Sequence, residues 1–163
     1  MIKIIEGNIL NATEDIICHQ VNCRGKMGSG LAKQIRNKYP NVYESYVKLV
    51  NWQKEEYNKG LAKNKSLLGN IQFVDCSDGK VIANLFGQEG YGRDKQYTDY
   101  TALRKSLESL YETVTCDYNT LYGKSIAIPY NLGCGLAGGN WNIVYEMIKQ
   151  IFYNYEITIY KLV

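Results

Sequence analysis

The chain has 163 residues, of which 45% are hydrophobic and 21% charged, with a formal net charge of +3 at pH 7. This length and composition fit one soluble domain with a sizeable core, and the mild, dispersed charge argues against a dedicated nucleic-acid-binding surface. No apolar run approaches the ~20 residues of a membrane helix, and Met1 leads into a short strand without a signal peptide's apolar core. We therefore expect a single domain over 1–163, a cytoplasmic location and no membrane partner.

In chain order, the first half alternates between strand and helix patterns. A strand is predicted at 2–6, a buried strand at 15–21 from its nearly continuous apolar run, and helices at 30–38 and 41–57. Tyr39-Pro40 separates the two helices, because the residue before a proline is disfavoured in helical conformation.

The second half contains one hairpin signal. Two strands, predicted at 69–75 and 80–86, flank Cys76-Ser77-Asp78-Gly79, and an Asp-Gly pair in that position is typical of a tight hairpin. The elements predicted after it are a polar loop at 87–96, a helix at 97–111, a strand at 125–129, a helix at 141–152 and a strand at 156–162. A hairpin inside a β-α-β order predicts an α/β fold with a central mixed sheet, a three-layer α/β/α sandwich.

Two glycine-rich loops each follow an apolar strand and precede a helix. Residues 24–32 read Arg-Gly-Lys-Met-Gly-Ser-Gly-Leu-Ala, and residues 131–139 read Asn-Leu-Gly-Cys-Gly-Leu-Ala-Gly-Gly. Exposed backbone N–H groups and the helix dipole favour anions at such positions, and glycine lets a phosphate approach without a Cβ in the way. The loops are predicted to form two walls of one diphosphate cleft beyond the strand ends.

The chain has one histidine, His19, and five cysteines: Cys18, Cys23, Cys76, Cys116 and Cys134. An odd number of cysteines without a C-x-x-C pair argues against a disulfide framework. A zinc site on Cys18, His19 and Cys23 has the wrong spacing for known zinc fingers, so no metal and no cofactor are expected. Cys134 has no base near it in sequence and is expected to be structural. The abundant isoleucine, asparagine, lysine and tyrosine are typical of an AT-rich bacterial or phage genome.

Short motifs occur in a characteristic order over nearly the whole chain. They are Gly7-Asn8-Ile9, His19-Gln20-Val21-Asn22-Cys23, Met27-Gly28-Ser29-Gly30-Leu31-Ala32, Tyr39-Pro40, Ile128-Pro129, Gly133-Cys134-Gly135-Leu136 and Trp141. In this order they resemble the macrodomain family of ADP-ribose-binding modules. The chain is similar to the branch that contains terminal ADP-ribose glycohydrolases, antitoxins that strip ADP-ribose from DNA, and the yeast ADP-ribose 1''-phosphate phosphatase.

The resemblance implies a set of ligand contacts. Asn8 and Ile9 would lie at the adenine, where the family usually has aspartate in place of Asn8 and where the asparagine carbonyl can still accept a hydrogen bond. Asn22 would face the distal ribose, and backbone amides of the two loops would hold the diphosphate. The expected ligand-binding residues are Asn8, Ile9, Gln20, Asn22, Met27, Gly28, Ser29, Gly30, Leu31, Asn131, Gly133, Cys134, Gly135 and Leu136.

His19 and Asn22 are the candidate catalytic residues. The phosphatase branch carries a histidine where His19 stands, which implies a general acid or base, with Asn22 beside an activated water. Terminal ADP-ribose glycohydrolases use a lysine after the fourth strand and an aspartate after the Gly-Cys-Gly-Leu segment. This chain has Leu85-Phe86-Gly87-Gln88 at the first place and Ala137 at the second, so a lysine-dependent covalent mechanism is not implied.

Each candidate also has a structural interpretation: His19 as a strand-end residue, Asn22 as a turn residue and the glycine loops as tight connections. Two functions therefore stay open. The chain is a macrodomain that hydrolyses a terminal ADP-ribose derivative, either the 1''-phosphate or an ADP-ribose linked to protein or nucleic acid. Alternatively, it is a non-catalytic reader of ADP-ribose on a macromolecule. Nucleic acid enters only as an ADP-ribosylated substrate.

Overall fold

A computed structural model describes all 163 residues, and its elements follow the strand and helix order expected from the sequence. The strands are β1 (Ile2–Glu6), β2 (Ile16–Asn22), β3 (Ile71–Asp75), β4 (Val81–Gln88), β5 (Ile126–Pro129) and β6 (Ile157–Lys161). The helices are α1 (Gly30–Lys38), α2 (Pro40–Asn58), α3 (Tyr100–Thr115) and α4 (Trp141–Ile151). A short 3-10 helix, Ile9–Asn11, has no counterpart in the sequence prediction.

The six strands form one mixed sheet in the order β1-β6-β5-β2-β4-β3. Every neighbouring pair is parallel except β3 and β4, which form the antiparallel hairpin predicted from the Asp-Gly pair. At its turn Asp78 accepts a hydrogen bond from the Lys80 N–H at 3.0 Å, and Gly79 has a φ of 87°. The hairpin therefore places β3 at the sheet edge, beyond β4.

Helices cover both faces of the sheet, which confirms the three-layer α/β/α architecture. Ile16 and Cys18 of β2 pack into the core formed with α3 and α4, whereas Ile17 and Val21 pack into the core formed with α1 and α2. Because successive strand residues face opposite sides, a strand buried on both faces needs apolar residues at nearly every position. The nearly continuous apolar run of β2 has this cause.

Some element boundaries differ from the prediction by a few residues. β4 continues through Gln88, so its last two residues belong to the segment predicted as loop. α3 begins at Tyr100 because the Asp99 side chain caps it, accepting from the Ala102 N–H at 3.0 Å. α4 begins at Trp141 as predicted, capped by Asn140.

All five cysteines are free. No group of three or more histidine, cysteine, aspartate or glutamate side chains is placed to hold a metal ion. None of the helices combines the length and hydrophobicity needed to cross a membrane.

Candidate functional site

A cavity of about 410 Å³ opens where β2 and β5 end. Residues 28–32 of the first glycine loop and residues 131–133 and 135–137 of the second line it. Parallel strands deliver their carboxyl ends, and the loops that follow them, to the same edge of a sheet. The structure therefore brings together the two loops that lie far apart in sequence.

The cavity wall is positively charged. Its charged side chains are Lys26 and Arg93, and no aspartate or glutamate lines it. An anionic ligand would meet cations and backbone amides here without a repelling carboxylate. This charge distribution fits a phosphate-containing ligand.

Asn22 and Tyr46 shape the first glycine loop. The Asn22 side chain accepts from the N–H groups of Arg24 at 2.9 Å and Lys26 at 3.3 Å, and its amide donates to the Lys26 carbonyl at 2.8 Å. The Tyr46 hydroxyl, from α2, lies 2.6 Å from the Asn22 carbonyl oxygen and 2.8 Å from Asn22 Oδ1. The Asn22 carboxamide is thus occupied in holding the loop, although the residue lines the cavity.

The first loop presents unpaired backbone N–H groups at the start of α1. No side chain caps this helix, and the N–H groups of Gly28 and Ser29 donate to no protein group. A Cβ placed on Gly28 or Gly30 would meet no atom within 4 Å. Open space in front of an uncapped helix N-terminus suits an anion.

The second loop presents a further set of N–H groups. Asn131 and Gly133 have φ values of 66° and 70°, left-handed conformations that turn the chain sharply. The backbone N–H groups of Gly133, Gly135 and Leu136 donate to no protein group. Successive amides arranged in this way form a concave anion site.

Gln20 connects the end of β2 to the second loop. Its amide donates to Gln88 Oε1 and to Thr98 Oγ1, both at 2.9 Å, and the Thr98 hydroxyl donates to the Gly133 carbonyl. A Cβ on Gly133 would lie 2.8 Å from Gln20 Oε1, so only glycine allows this close approach. Gln20 therefore positions the loop in addition to lining the cavity.

His19 is buried at the cavity base, with 1% of its surface exposed. Its Nε2 lies 2.5 Å from Asn84 Oδ1, and its Nδ1 has no protein hydrogen-bond partner. Burial lowers the pKa of His19 to about 4, against 6.5 for an ordinary histidine. The ring is therefore neutral at neutral pH, and its unprotonated nitrogen can accept a hydrogen bond.

Most of the residues expected at the site line the cavity. They are His19, Gln20, Asn22, Gly28, Ser29, Gly30, Leu31, Asn131, Gly133, Gly135 and Leu136. These residues come from the end of β2 and from the two glycine loops, as the motif order implied.

Four expected ligand contacts lie outside the cavity wall. Asn8 caps the 3-10 helix, accepting from the Leu10 N–H at 3.0 Å. Ile9 and Met27 pack into the core beneath α1 and α2. Burial raises the pKa of the Cys134 thiol to about 11, and its Sγ lies 3.2 Å from the Leu132 carbonyl, which supports the structural interpretation of this cysteine.

Several lining residues were not identified from the sequence, namely Tyr91, Gly92, Arg93 and Tyr130. Arg93, a cation in a glycine-containing loop, is the sequence signal that could have identified this segment. Asn84 and Tyr46, which support His19 and Asn22, carried no sequence signal because each acts across a long separation in the chain.

No protein-family model matches the chain. The DNA ADP-ribosyl glycohydrolase of Mycobacterium tuberculosis is 38% identical over 155 residues, which are 93% of this chain and 39% of that protein. The ADP-ribose 1''-phosphate phosphatase of Saccharomyces cerevisiae is 22% identical over 178 residues, covering 99% of this chain and 98% of the phosphatase. This chain spans about two fifths of the length of the DNA ADP-ribosyl glycohydrolases that it matches.

Solved structures share the fold. The macrodomain of Mycobacterium tuberculosis DarG superposes with a TM-score of 0.76 at 23% identity, covering 98% of this chain and 97% of that one. Thermosipho africanus DarTG in complex with ADP-ribose superposes with a TM-score of 0.73 at 19% identity, covering 98% of this chain and 41% of that one. The shared architecture includes all three layers described above.

Proposed function

The chain belongs to the macrodomain family, and from this premise we propose that its cavity binds ADP-ribose or a terminal ADP-ribose derivative. One observation carries the proposal: two separate glycine loops present unpaired backbone N–H groups to a single cavity that contains no carboxylate. A diphosphate has the charge and the acceptor oxygens to use both sets of donors.

Calorimetric titration with ADP-ribose tests this binding, with AMP as the matched control. We expect micromolar or tighter binding of ADP-ribose and much weaker binding of AMP, which lacks the second phosphate and the second ribose. Absence of heat at several temperatures, together with no thermal stabilisation by ADP-ribose, would contradict the assigned ligand.

The proposed activity is hydrolysis that removes a terminal 1''-phosphate or releases ADP-ribose from protein or DNA. Among the side chains on the cavity wall, His19 alone offers a neutral imidazole nitrogen, and the unpaired N–H groups would stabilise charge developing on the phosphate side. The curated relatives named above act on ADP-ribosyl groups in DNA or on ADP-ribose 1''-phosphate. A cytoplasmic location, consistent with five free cysteines, is part of the proposal.

The second candidate function is a non-catalytic reader of ADP-ribose on a macromolecule. Gln88 and Ala137 line the cavity at the places where the glycohydrolases resembled in sequence have a catalytic lysine and aspartate, and neither residue can act as an acid or an amine. Incubation with ADP-ribose 1''-phosphate, ADP-ribosylated DNA and ADP-ribosylated protein separates the two. Turnover by the wild type that is lost in His19→Ala supports the hydrolase. Binding without turnover of any of the three supports the reader.

A further inference from the structure

A row of polar side chains crosses three neighbouring strands and ends on α2. His19 of β2 pairs in register with Asn84 of β4, and Asn84 pairs with Gln72 of β3. His19 Nε2 contacts Asn84 Oδ1 at 2.5 Å, Asn84 Nδ2 donates to Gln72 Oε1 at 3.0 Å, and Gln72 Nε2 donates to the Ser45 carbonyl at 3.1 Å. The row thus joins the cavity base to a main-chain oxygen of α2.

The Ser45 carbonyl sets the direction of every hydrogen bond in this row. A carbonyl oxygen only accepts, so the amide nitrogen of Gln72 must face it and the amide oxygen of Gln72 must face Asn84. Asn84 then turns its nitrogen to Gln72 and its oxygen to His19. Since Asn84 Oδ1 only accepts, His19 Nε2 must carry the ring proton. The opposite tautomer would require both amides to rotate and would bring Gln72 Oε1 against the Ser45 oxygen.

With the ring proton on Nε2, His19 Nδ1 carries a lone pair. This nitrogen has no protein hydrogen-bond partner, although the ring is buried, with only 1% of its surface exposed, and it lies on the cavity wall. We propose that Asn84 and Gln72 are positioning residues that hold His19 as the Nε2–H tautomer, so that Nδ1 accepts a hydrogen bond from a ligand hydroxyl. The assignment rests on the proposed function, in which this hydroxyl belongs to the terminal ribose of ADP-ribose.

The chemistry of Nδ1 selects the kind of ligand group that can sit beside it. A buried acceptor without a partner is unfavourable, and a hydroxyl relieves that cost by donating. An oxygen of a fully ionised phosphate has no hydrogen to donate and would meet the lone pair with its own negative charge. Because burial lowers the pKa of His19, the lone pair is available throughout the neutral range. His19 therefore favours a sugar hydroxyl and disfavours a phosphate at this position.

Nitrogen NMR with ¹⁵N-labelled histidine tests the tautomer directly, because His19 is the only histidine in the chain. We expect one protonated nitrogen, assigned to Nε2, and one unprotonated nitrogen, assigned to Nδ1. Saturating ADP-ribose should move the Nδ1 resonance upfield, as hydrogen bonding does to an unprotonated ring nitrogen. ADP, which lacks the terminal ribose, should leave it in place.

Two substitutions of Gln72 separate positioning from simple packing. Gln72→Met removes the group that orients Asn84, so both tautomers become available and the two nitrogen resonances should move toward each other. Equal populations of the two tautomers would halve the fraction of protein molecules in the Nε2–H form that binds the ligand hydroxyl. ADP-ribose binding would then weaken about twofold. In Gln72→Glu the side chain still accepts from Asn84, so this variant should keep the wild-type tautomer, although the carboxylate no longer donates to the Ser45 carbonyl and the protein should lose stability.

A protonated Nδ1 in the wild type, or an unchanged tautomer in a folded Gln72→Met protein, would overturn the proposal. So would an Nδ1 resonance that stays fixed while calorimetry shows ADP-ribose bound, and in that case the proposed function would stand. If ADP-ribose does not bind at all, the proposed function fails, and so does the proposed hydrogen bond from a ligand hydroxyl to Nδ1. The tautomer of His19 can still be measured in the free protein. Dispersed amide spectra show whether each variant is folded.

Discussion

At the residue scale, one buried imidazole gives the protein a specific pH response. The pKa of His19 is about 4 in the folded chain, against 6.5 for an ordinary histidine, because burial disfavours the charged ring. Below pH 6.5 the unfolded chain binds a proton that the folded chain does not, so stability contributed by the neutral ring is lost as the pH falls toward 4. Above pH 6.5 the contribution is constant.

The wild type should therefore lose about 3 kcal/mol of unfolding free energy relative to His19→Gln between pH 7 and pH 4, at 1.36 kcal/mol per pKa unit. Urea denaturation of both proteins at the two pH values measures this difference. Carboxylate titration contributes equally to both proteins and cancels. Parallel loss of stability in the two proteins would show that His19 does not titrate as its burial indicates.

Gly135 offers a second test at the residue scale. A Cβ at this position meets no atom within 4 Å, and its φ is not in the left-handed region, so a side chain is accommodated in the free protein. Gly135→Val should change the free energy of unfolding by roughly 0.5 kcal/mol or less. Because the new side chain would occupy space needed by the ligand, the same variant should bind ADP-ribose at least about tenfold more weakly, a change of about 1.4 kcal/mol in binding free energy. Calorimetry and thermal unfolding of the same variant measure both, and full affinity would place the ligand elsewhere.

At the scale of elements, α2 acts on the site through one hydroxyl. Tyr46 is fully buried in α2 and its hydroxyl contacts both oxygens of Asn22, the residue that shapes the first glycine loop. Tyr46→Phe keeps the ring, including its stacking on Phe86 at 5.9 Å between centroids, and removes the contacts to Asn22 together with the hydrogen bond that the hydroxyl accepts from the Gly25 N–H at 3.2 Å. The helix and the loop would then pack together without being hydrogen-bonded here.

We expect Tyr46→Phe to destabilise the chain by about 1–2 kcal/mol, because a buried carbonyl loses its hydroxyl donor, and to weaken ADP-ribose binding several-fold through the loop. Tyr57→Phe is the matched control, since Tyr57 lies on the same helix but is 40% exposed. Chemical denaturation and calorimetry of the two variants provide the comparison. Equal behaviour of the two variants would mean that α2 does not position the loop.

At the scale of the whole molecule, the ligand would connect loops that follow different strands of the sheet. At one hundred times the dissociation constant, binding to the folded state alone adds about 2.7 kcal/mol. For a chain of this size that corresponds to a rise of about 5–11 °C in Tm. Thermal unfolding with ADP-ribose, and with AMP at the same concentration, measures it. An equal rise with both ligands would show that the second glycine loop is not engaged.

The architecture could be predicted from the sequence because its cause is local. Each element has its own pattern: apolar runs of strand length predict strands, helix-period patterns predict helices, and the Asp-Gly pair predicts a hairpin turn. The order of these elements implies helices on both faces of a mixed sheet. Boundaries shifted by a few residues, for example at the start of α3, which Asp99 caps, and at the end of β4, which continues through Gln88. The two glycine loops were identifiable for the same reason, because a glycine indicates the backbone conformation that is required at its own position.

The roles of individual site residues depended on the tertiary structure. Asn22 proved to hold a loop, Gln20 to position another and His19 to face Asn84, and Asn8 was found to cap a 3-10 helix outside the cavity. The roles of Gln20 and His19 involve hydrogen bonds to residues of β4, brought into reach by the strand order and register. Asn22 holds its loop through its chain neighbours Arg24 and Lys26, as its interpretation as a turn residue implied, and through Tyr46 of α2. Sequence alone determined that this chain makes a three-layer sandwich with two anion-suited loops. Only folding decided which side chains support those loops and which nitrogen of His19 faces the ligand, because hydrogen bonds between distant residues leave no local pattern in the chain.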